Sequence, residues 1–134
     1  MRLLRLVMTA FLCLTLLSGP SLAQNKSQEA TARAAQDYLK HGLMLADGGE
    51  DEEAAEAFQK AVSLKPDWAE ARSLLGSALS RAGKYREAEE QLRKAVSLKP
   101  DYGEGWYYLG LFLKDRGKDK EAEEAFQKAK QLAR

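Results

Sequence analysis

An eight-residue phrase, Lys60-Ala-Val-Ser-Leu-Lys-Pro-Asp67, returns unchanged as Lys94-Ala-Val-Ser-Leu-Lys-Pro-Asp101, an offset of 34 residues. A fixed period of this size means stacked copies of one supersecondary unit, none of which can bury its apolar face alone. Three copies align, over 35–68, 69–102 and 103–134. Ala57-Phe-Gln-Lys-Ala61 recurs two periods on as Ala125-Phe-Gln-Lys-Ala129. Gly42, Gly76 and Gly110 share one slot, and Gly49, Gly83 and Gly117 another.

Apolar residues within a copy follow helical spacing, as in Leu75, Ala78, Leu79 and Ala82. Gly83 then interrupts, and glycine ends helices well because it accepts positive φ. A second amphipathic run, Ala88, Leu92, Ala95 and Val96, closes at Lys99-Pro100, because proline cannot continue a helix. Each unit therefore predicts helix, tight turn, helix, with Asp67 and Asp101 expected to cap the helices that follow. Gly42, Gly76 and Gly110 fall inside helices, where glycine costs about 1 kcal/mol against alanine. Repetition of that cost implies close helix contact. Ala54, Ala88 and Ala122 are expected where the two helices of a pair touch.

The period and its residues resemble the tetratricopeptide (TPR) repeat. The third copy carries Trp106-Tyr-Tyr-Leu109-Gly110, Leu113, Gly117, Ala122, Phe126 and Ala129. The second carries Leu75-Gly76, Leu79, Gly83, Tyr85, Ala88, Leu92, Ala95 and Pro100, and the first is weaker, with Tyr38 where the family often has Trp and His41 where it usually has Leu. The resemblance implies an all-α chain: a right-handed α-solenoid of three helix-turn-helix TPR units, six helices in all. As an inward-facing Leu replaced by His, His41 is expected to be a partly buried packing residue.

The start of the chain is different in character. Arg2 and Arg5 precede an uncharged 13-residue run, Leu6–Ser18; then come Gly19-Pro20 and small residues at Ser21 and Ala23. This is the three-part pattern of a secretory signal peptide over 1–23, with cleavage after Ala23 and a periplasmic or secreted destination. The run is short for a membrane span, which needs about 20 residues; the alternative is an uncleaved anchor. Cleavage would leave no stable membrane span and no cysteine, since Cys13 is the only one, so stability would rest on packing without disulfides. It would also leave 19 basic residues against 20 acidic ones. That balance gives no basic field for nucleic acid. Residues 24–34 read either as an extension of the first helix, with Ser27 as its cap, or as a flexible lead. Asn25-Lys26-Ser27 fits the N-glycosylation sequon.

No constellation for chemistry stands out. His41 is the one histidine, no nucleophile-elbow motif or phosphate-cradling glycine loop occurs, and Asp47-Gly-Gly-Glu-Asp-Glu-Glu53 lacks the alternating ligands of a calcium loop. That acidic run reads as a turn followed by a helix N-terminus, where carboxylates favourably meet the dipole. The chain is accordingly expected not to be an enzyme and to need no cofactor or metal.

By the same resemblance, the first helix of each pair lines a concave groove. The slots fall on Leu39, Lys40 and Leu43, then Ser73, Leu74 and Ser77, then Tyr107, Tyr108 and Leu111. One TPR subclass grips a C-terminal carboxylate with Lys, Asn and Arg; the matching slots here hold Leu39, Leu43, Leu74, Glu104 and Tyr108. The expected partner is therefore a protein or peptide segment with apolar anchors, held chiefly by Leu39, Leu43, Leu74, Ser77, Tyr107, Tyr108 and Leu111. The ends suggest a second class of function, head-to-tail self-assembly as a weak homo-oligomer. Copy 35–68 holds eight acids and three bases, whereas copies 69–102 and 103–134 carry +2 and +1. Lys130 aligns with Val62 and Val96, which would soften the last helix as a cap.

Overall fold

The computed structural model describes Gly19 and residues 21–133. Most of the proposed signal segment 1–23, Cys13 included, lies outside the described residues. Two compact units divide the chain at Thr31/Ala32. Six helices are found among the described residues: α1 Leu22–Asp47, α2 Asp51–Leu64, α3 Ala69–Arg81, α4 Tyr85–Leu98, α5 Gly103–Asp115 and α6 Asp119–Leu132. None is long and apolar enough to cross a membrane.

The first unit contributes the opening turns of α1. Ser21 and Gln24 form a capping box: the Gln24 backbone N–H donates to Ser21 Oγ at 3.3 Å, and the Ser21 N–H donates to Gln24 Oε1 at 3.0 Å. The cap expected at Ser27 is thus made six residues earlier. Ser27 lies inside the helix, its carbonyl accepting from Thr31 Oγ1. Residues 24–34 are helical throughout.

In the second unit the repeat grammar becomes geometry. Gly49, Gly83 and Gly117 have φ of 79°, 80° and 73°. Each ends a helix in a Schellman motif: the N–H after the glycine reaches back to Leu45, Leu79 and Leu113, and the glycine N–H to Ala46, Ser80 and Lys114. The second turn type is set by Pro66 and Pro100. The Trp68 N–H bonds the Lys65 carbonyl and the Tyr102 N–H bonds that of Lys99, both at 3.1 Å. Asp67 and Asp101 are spent in these turns, one residue ahead of the caps. Trp68 and Tyr102 occupy the N-cap positions, with no side-chain capping bond. The expectation that the aspartates cap is therefore corrected: proline at the second turn position places them outside the helix start.

Another pair of bonds ties each turn to the helix after it. Arg72 Nε donates to the Pro66 carbonyl and Trp106 Nε1 to that of Pro100, both at 2.8 Å. Arg72 and Trp106 share one repeat slot, so two different side chains do one job. Asp51, Glu52 and Glu53 fill the first turn of α2, where the helix dipole favours them.

The core runs through the pairs. Phe58, Leu75, Leu92 and Leu113 are fully buried, with Ala54, Ala88 and Ala122 among them. α3 packs on α4 and α5 on α6 within pairs, while α2 meets α3 and α4 meets α5 between pairs. Gly42 lies against the Phe58 ring and Gly110 against that of Phe126. His41 departs from its expected role: it is exposed, whereas Leu75 and Leu109 in the same slot are buried. Those leucines are covered at junctions between successive helix pairs, and His41 sits on the first pair, which has none before it in this unit.

Candidate functional site

α3 and α5 lie side by side and present the predicted groove slots of the second and third repeats. Ser77, Tyr108 and Leu111 meet there around a depression of about 320 Å³. Leu111 is 43% exposed. Arg81 and Asp115 border the same depression and were not among the expected residues. Their signal was available, since each lies four residues, one helical turn, beyond Ser77 or Leu111. Arg81 is held in place: its Nε donates to Asp51 Oδ1 at 2.6 Å and its Nη1 to Ser77 Oγ at 3.0 Å. The depression therefore has an apolar floor, a fixed guanidinium and a carboxylate at its rim.

The remaining expected residues are distributed. Leu43 is 39% exposed on α1. Leu39 and Leu74 are half-buried and pack against the core. Lys40 is exposed. Ser73 is corrected outright: it is completely buried, and its hydroxyl has no hydrogen-bond partner. A β-carbon on Gly105 would stand 3.3 Å from Ser73 Oγ, so α5 closes over that slot. A small residue on each side lets the two helices approach.

Tyr107, 50% exposed, belongs to a different place. Its ring lies 6.3 Å from that of Tyr108 and 5.8 Å from that of Phe126. It lines a larger open groove of about 800 Å³ with Tyr102, Phe126, Ala129, Lys130 and Leu132. Tyr102 donates to Glu104 Oε2 at 3.0 Å. Burial, helped by that carboxylate, pushes the Tyr102 phenol well above its ordinary range, so it remains a neutral donor. Among the described residues there is no cluster of three or more His, Cys, Asp or Glu side chains able to hold a metal.

Comparison with known proteins agrees with this architecture. A family model described as "Tetratricopeptide repeat" matches residues 73–134, and a second, described as "TPR repeat", matches residues 42–83. No curated protein matches the chain. Many solved structures do. The second TPR of Spaghetti (RPAP3), bound to the HSP90 peptide SRMEEVD, is 22% identical with a TM-score of 0.72, covering 80% of this chain and 98% of that one. MamA is 26% identical with a TM-score of 0.67, covering 81% of this chain and 68% of its own. The Sgt2 TPR domain from Aspergillus fumigatus is 25% identical with a TM-score of 0.71, covering 74% and 66% respectively.

Proposed function

Because the chain belongs to the tetratricopeptide repeat family, a fold of protein interaction, we propose that it binds a protein segment through apolar anchors on the α3–α5 face. It would do so outside the cytoplasm, after export directed by residues 1–23. The observation that carries the reading is the meeting of Ser77, Tyr108 and Leu111 around one depression, beside a fixed Arg81. Tyrosine and leucine supply contact area, and the phenol and guanidinium supply orientation. The reading involves no bond-making step.

The bound peptide of the Spaghetti structure, SRMEEVD, ends in acidic residues and a carboxylate. The clamp slots of this chain carry Leu39, Leu43, Leu74, Glu104 and Tyr108 instead of cations. A carboxylate there would meet apolar side chains and a like charge at Glu104. The ligand class that fits is a segment with apolar side chains at helical or extended spacing.

The test is affinity capture from the exported fraction with the full chain, beside a Leu111→Glu variant whose helicity and thermal unfolding are unchanged. A partner retained by the wild type and lost by the variant supports the reading. If both recover the same set, the α3–α5 face is not the binding site.

A further inference from the structure

The last residues of α1, α3 and α5 share one repeat slot, filled by Asp47, Arg81 and Asp115. The negative end of the helix dipole lies there, and it favours a cation over a carboxylate. Arg81 obeys that preference and is engaged, its Nε on Asp51 Oδ1 and its Nη1 on Ser77 Oγ. Asp115 runs against it. Among the described residues no ion pair or side-chain hydrogen bond reaches the Asp115 carboxylate. Its position opposes the dipole and returns no contact within the chain. Asp47 does not border the α3–α5 depression; Asp115 does.

Arg81 and Asp115 are the charged residues bordering that depression. Asp51, 2.6 Å from Arg81, offsets the guanidinium, so the charge left without a partner is that of Asp115. The cations beside Asp115 in the chain are placed elsewhere. Arg116 lies over the Tyr85 ring, 3.9 Å from its centroid. Lys114 does not line the depression, and adjacent residues of a helix do not face each other. The floor is apolar: Leu92 and Phe112 are buried, and Tyr108 and Leu111 rise beside them. A volume of about 320 Å³ is at the small end for ligand cavities, which suits one large side chain better than a length of backbone. The exposed Asp115 carboxylate stands at its rim.

We infer that the segment bound at this face is cationic beside its anchor: one large apolar side chain fills the depression, and a lysine or arginine within about four residues of it, near enough in an extended or a helical segment, pairs with Asp115. This ligand class presupposes the α3–α5 face as the binding surface. An anchor seated on Leu92 and Phe112 excludes water from one side of the Asp115 carboxylate, which strengthens its attraction for a base. An acidic residue at the same place would meet Asp115 as a like charge, with Arg81 already matched by Asp51. Asp115 therefore determines specificity more than affinity.

The probe is a random peptide library displayed on phage and panned on the immobilised full chain. Recovered peptides are synthesised, and their affinities are measured by fluorescence anisotropy at low and at physiological salt. The expected peptides pair a large apolar residue with a nearby lysine or arginine, beyond the frequency in the starting library, and bind less tightly as salt rises. Asp115→Asn should weaken them about fivefold and Asp115→Lys about tenfold or more. Exchanging the peptide's base for glutamate should weaken binding to the wild type and restore binding to Asp115→Lys. Because Asp115 is exposed and opposes the dipole, both variants should unfold at the wild-type temperature or above it, which separates lost binding from lost folding. Peptides without the base, peptides indifferent to both Asp115 variants, or a charge exchange that restores nothing overturn the inference. So do acidic peptides that depend on Arg81, lost with Arg81→Gln. If such peptides are still lost with Leu111→Glu, the α3–α5 face remains the binding surface and only the ligand class is wrong. If no peptide is recovered, or if those recovered bind Leu111→Glu as they bind the wild type, the face itself is refuted and the ligand class with it.

Discussion

The β-carbon that Gly76 lacks would stand 2.6 Å from Leu92 Cγ, on the facing helix of the same pair. It would also stand 3.1 Å from the Ala88 carbonyl oxygen, which is backbone and cannot swing away. Leu92 is fully buried, so its branch point has nowhere to go. Gly76→Ala gains about 1 kcal/mol of helix propensity, yet the contact it creates outweighs that. The expected net effect is a loss of about 1–2 kcal/mol in urea unfolding. Gly110 gives an internal contrast. Its absent β-carbon meets Phe126 at the same 2.6 Å, but Phe126 is only half-buried and borders the open groove. Gly110→Ala should therefore be milder than Gly76→Ala. Equal effects would contradict the packing account.

Ala88 approaches the same contact from the other helix and has no exposed surface. Ala88→Leu adds three carbons where the helices already touch. Overpacking of this kind costs roughly 1–3 kcal/mol. An unchanged melting temperature would refute the placement. Because Ala88 and Gly76 share one contact, the double variant should not be additive.

Both glycine and alanine slots were readable in the sequence because a residue type repeated at 34-residue spacing reports a repeated contact. The helices and their Schellman ends were readable for the same reason: Gly49, Gly83 and Gly117 need positive φ. What escaped depends on neighbours that the period does not name. His41 was expected inside because Leu75 and Leu109 are inside, but burial of that slot is supplied by the preceding pair. Ser73 was expected in the groove because its slot faces that way, but Gly105 lets α5 close over it. Asp67 and Asp101 resemble caps in a linear reading; the proline turn displaces them by one residue. The pairing of Arg81 with Asp51 joins residues 30 apart in different repeats, which no local pattern announces.

Charge also links the second and third repeats. Glu89 accepts from Arg93 at 2.8 Å and from Lys118 at 3.1 Å, and Arg93 reaches Glu121 at 2.9 Å. The Arg93 bond holds the Glu89 carboxyl below its ordinary value; partial burial opposes this, and Lys118 adds to the lowering. Glu70 is lowered too: burial alone would raise it, and the bond from Lys99 and neighbouring positive charge prevail. A depressed folded-state pKa contributes stability above the unfolded value that is lost as pH falls through the folded one. Stability should thus be flat near neutrality and decline below about pH 4.5, the unperturbed carboxyl value. Glu89→Gln should flatten part of that decline while lowering neutral stability by about 1 kcal/mol or less, as expected of a partly exposed pair. A decline as steep as that of the wild type in this variant would show that other groups control it.

The exposed and half-buried leucines of the groove face give a prediction that decides how the face can be probed. Leu43 and Leu111 keep 39% and 43% of their surface open, whereas Leu74 packs against the core. A carboxylate at position 74 would lose those contacts and be partly desolvated without a partner. Leu74→Glu is expected to lower stability by roughly 2 kcal/mol or more, and Leu43→Glu and Leu111→Glu by about 0.5 kcal/mol or less. Thermal unfolding of the three variants side by side checks the ranking. If Leu74→Glu were the mild one, its side chain would face outward and would join Leu111 in the binding surface. With the expected ranking, a partner lost by Leu74→Glu says little about contact, because the helix pair itself has been disturbed. Loss of the same partner by Leu111→Glu, in a chain that unfolds as the wild type does, locates the contact on α5.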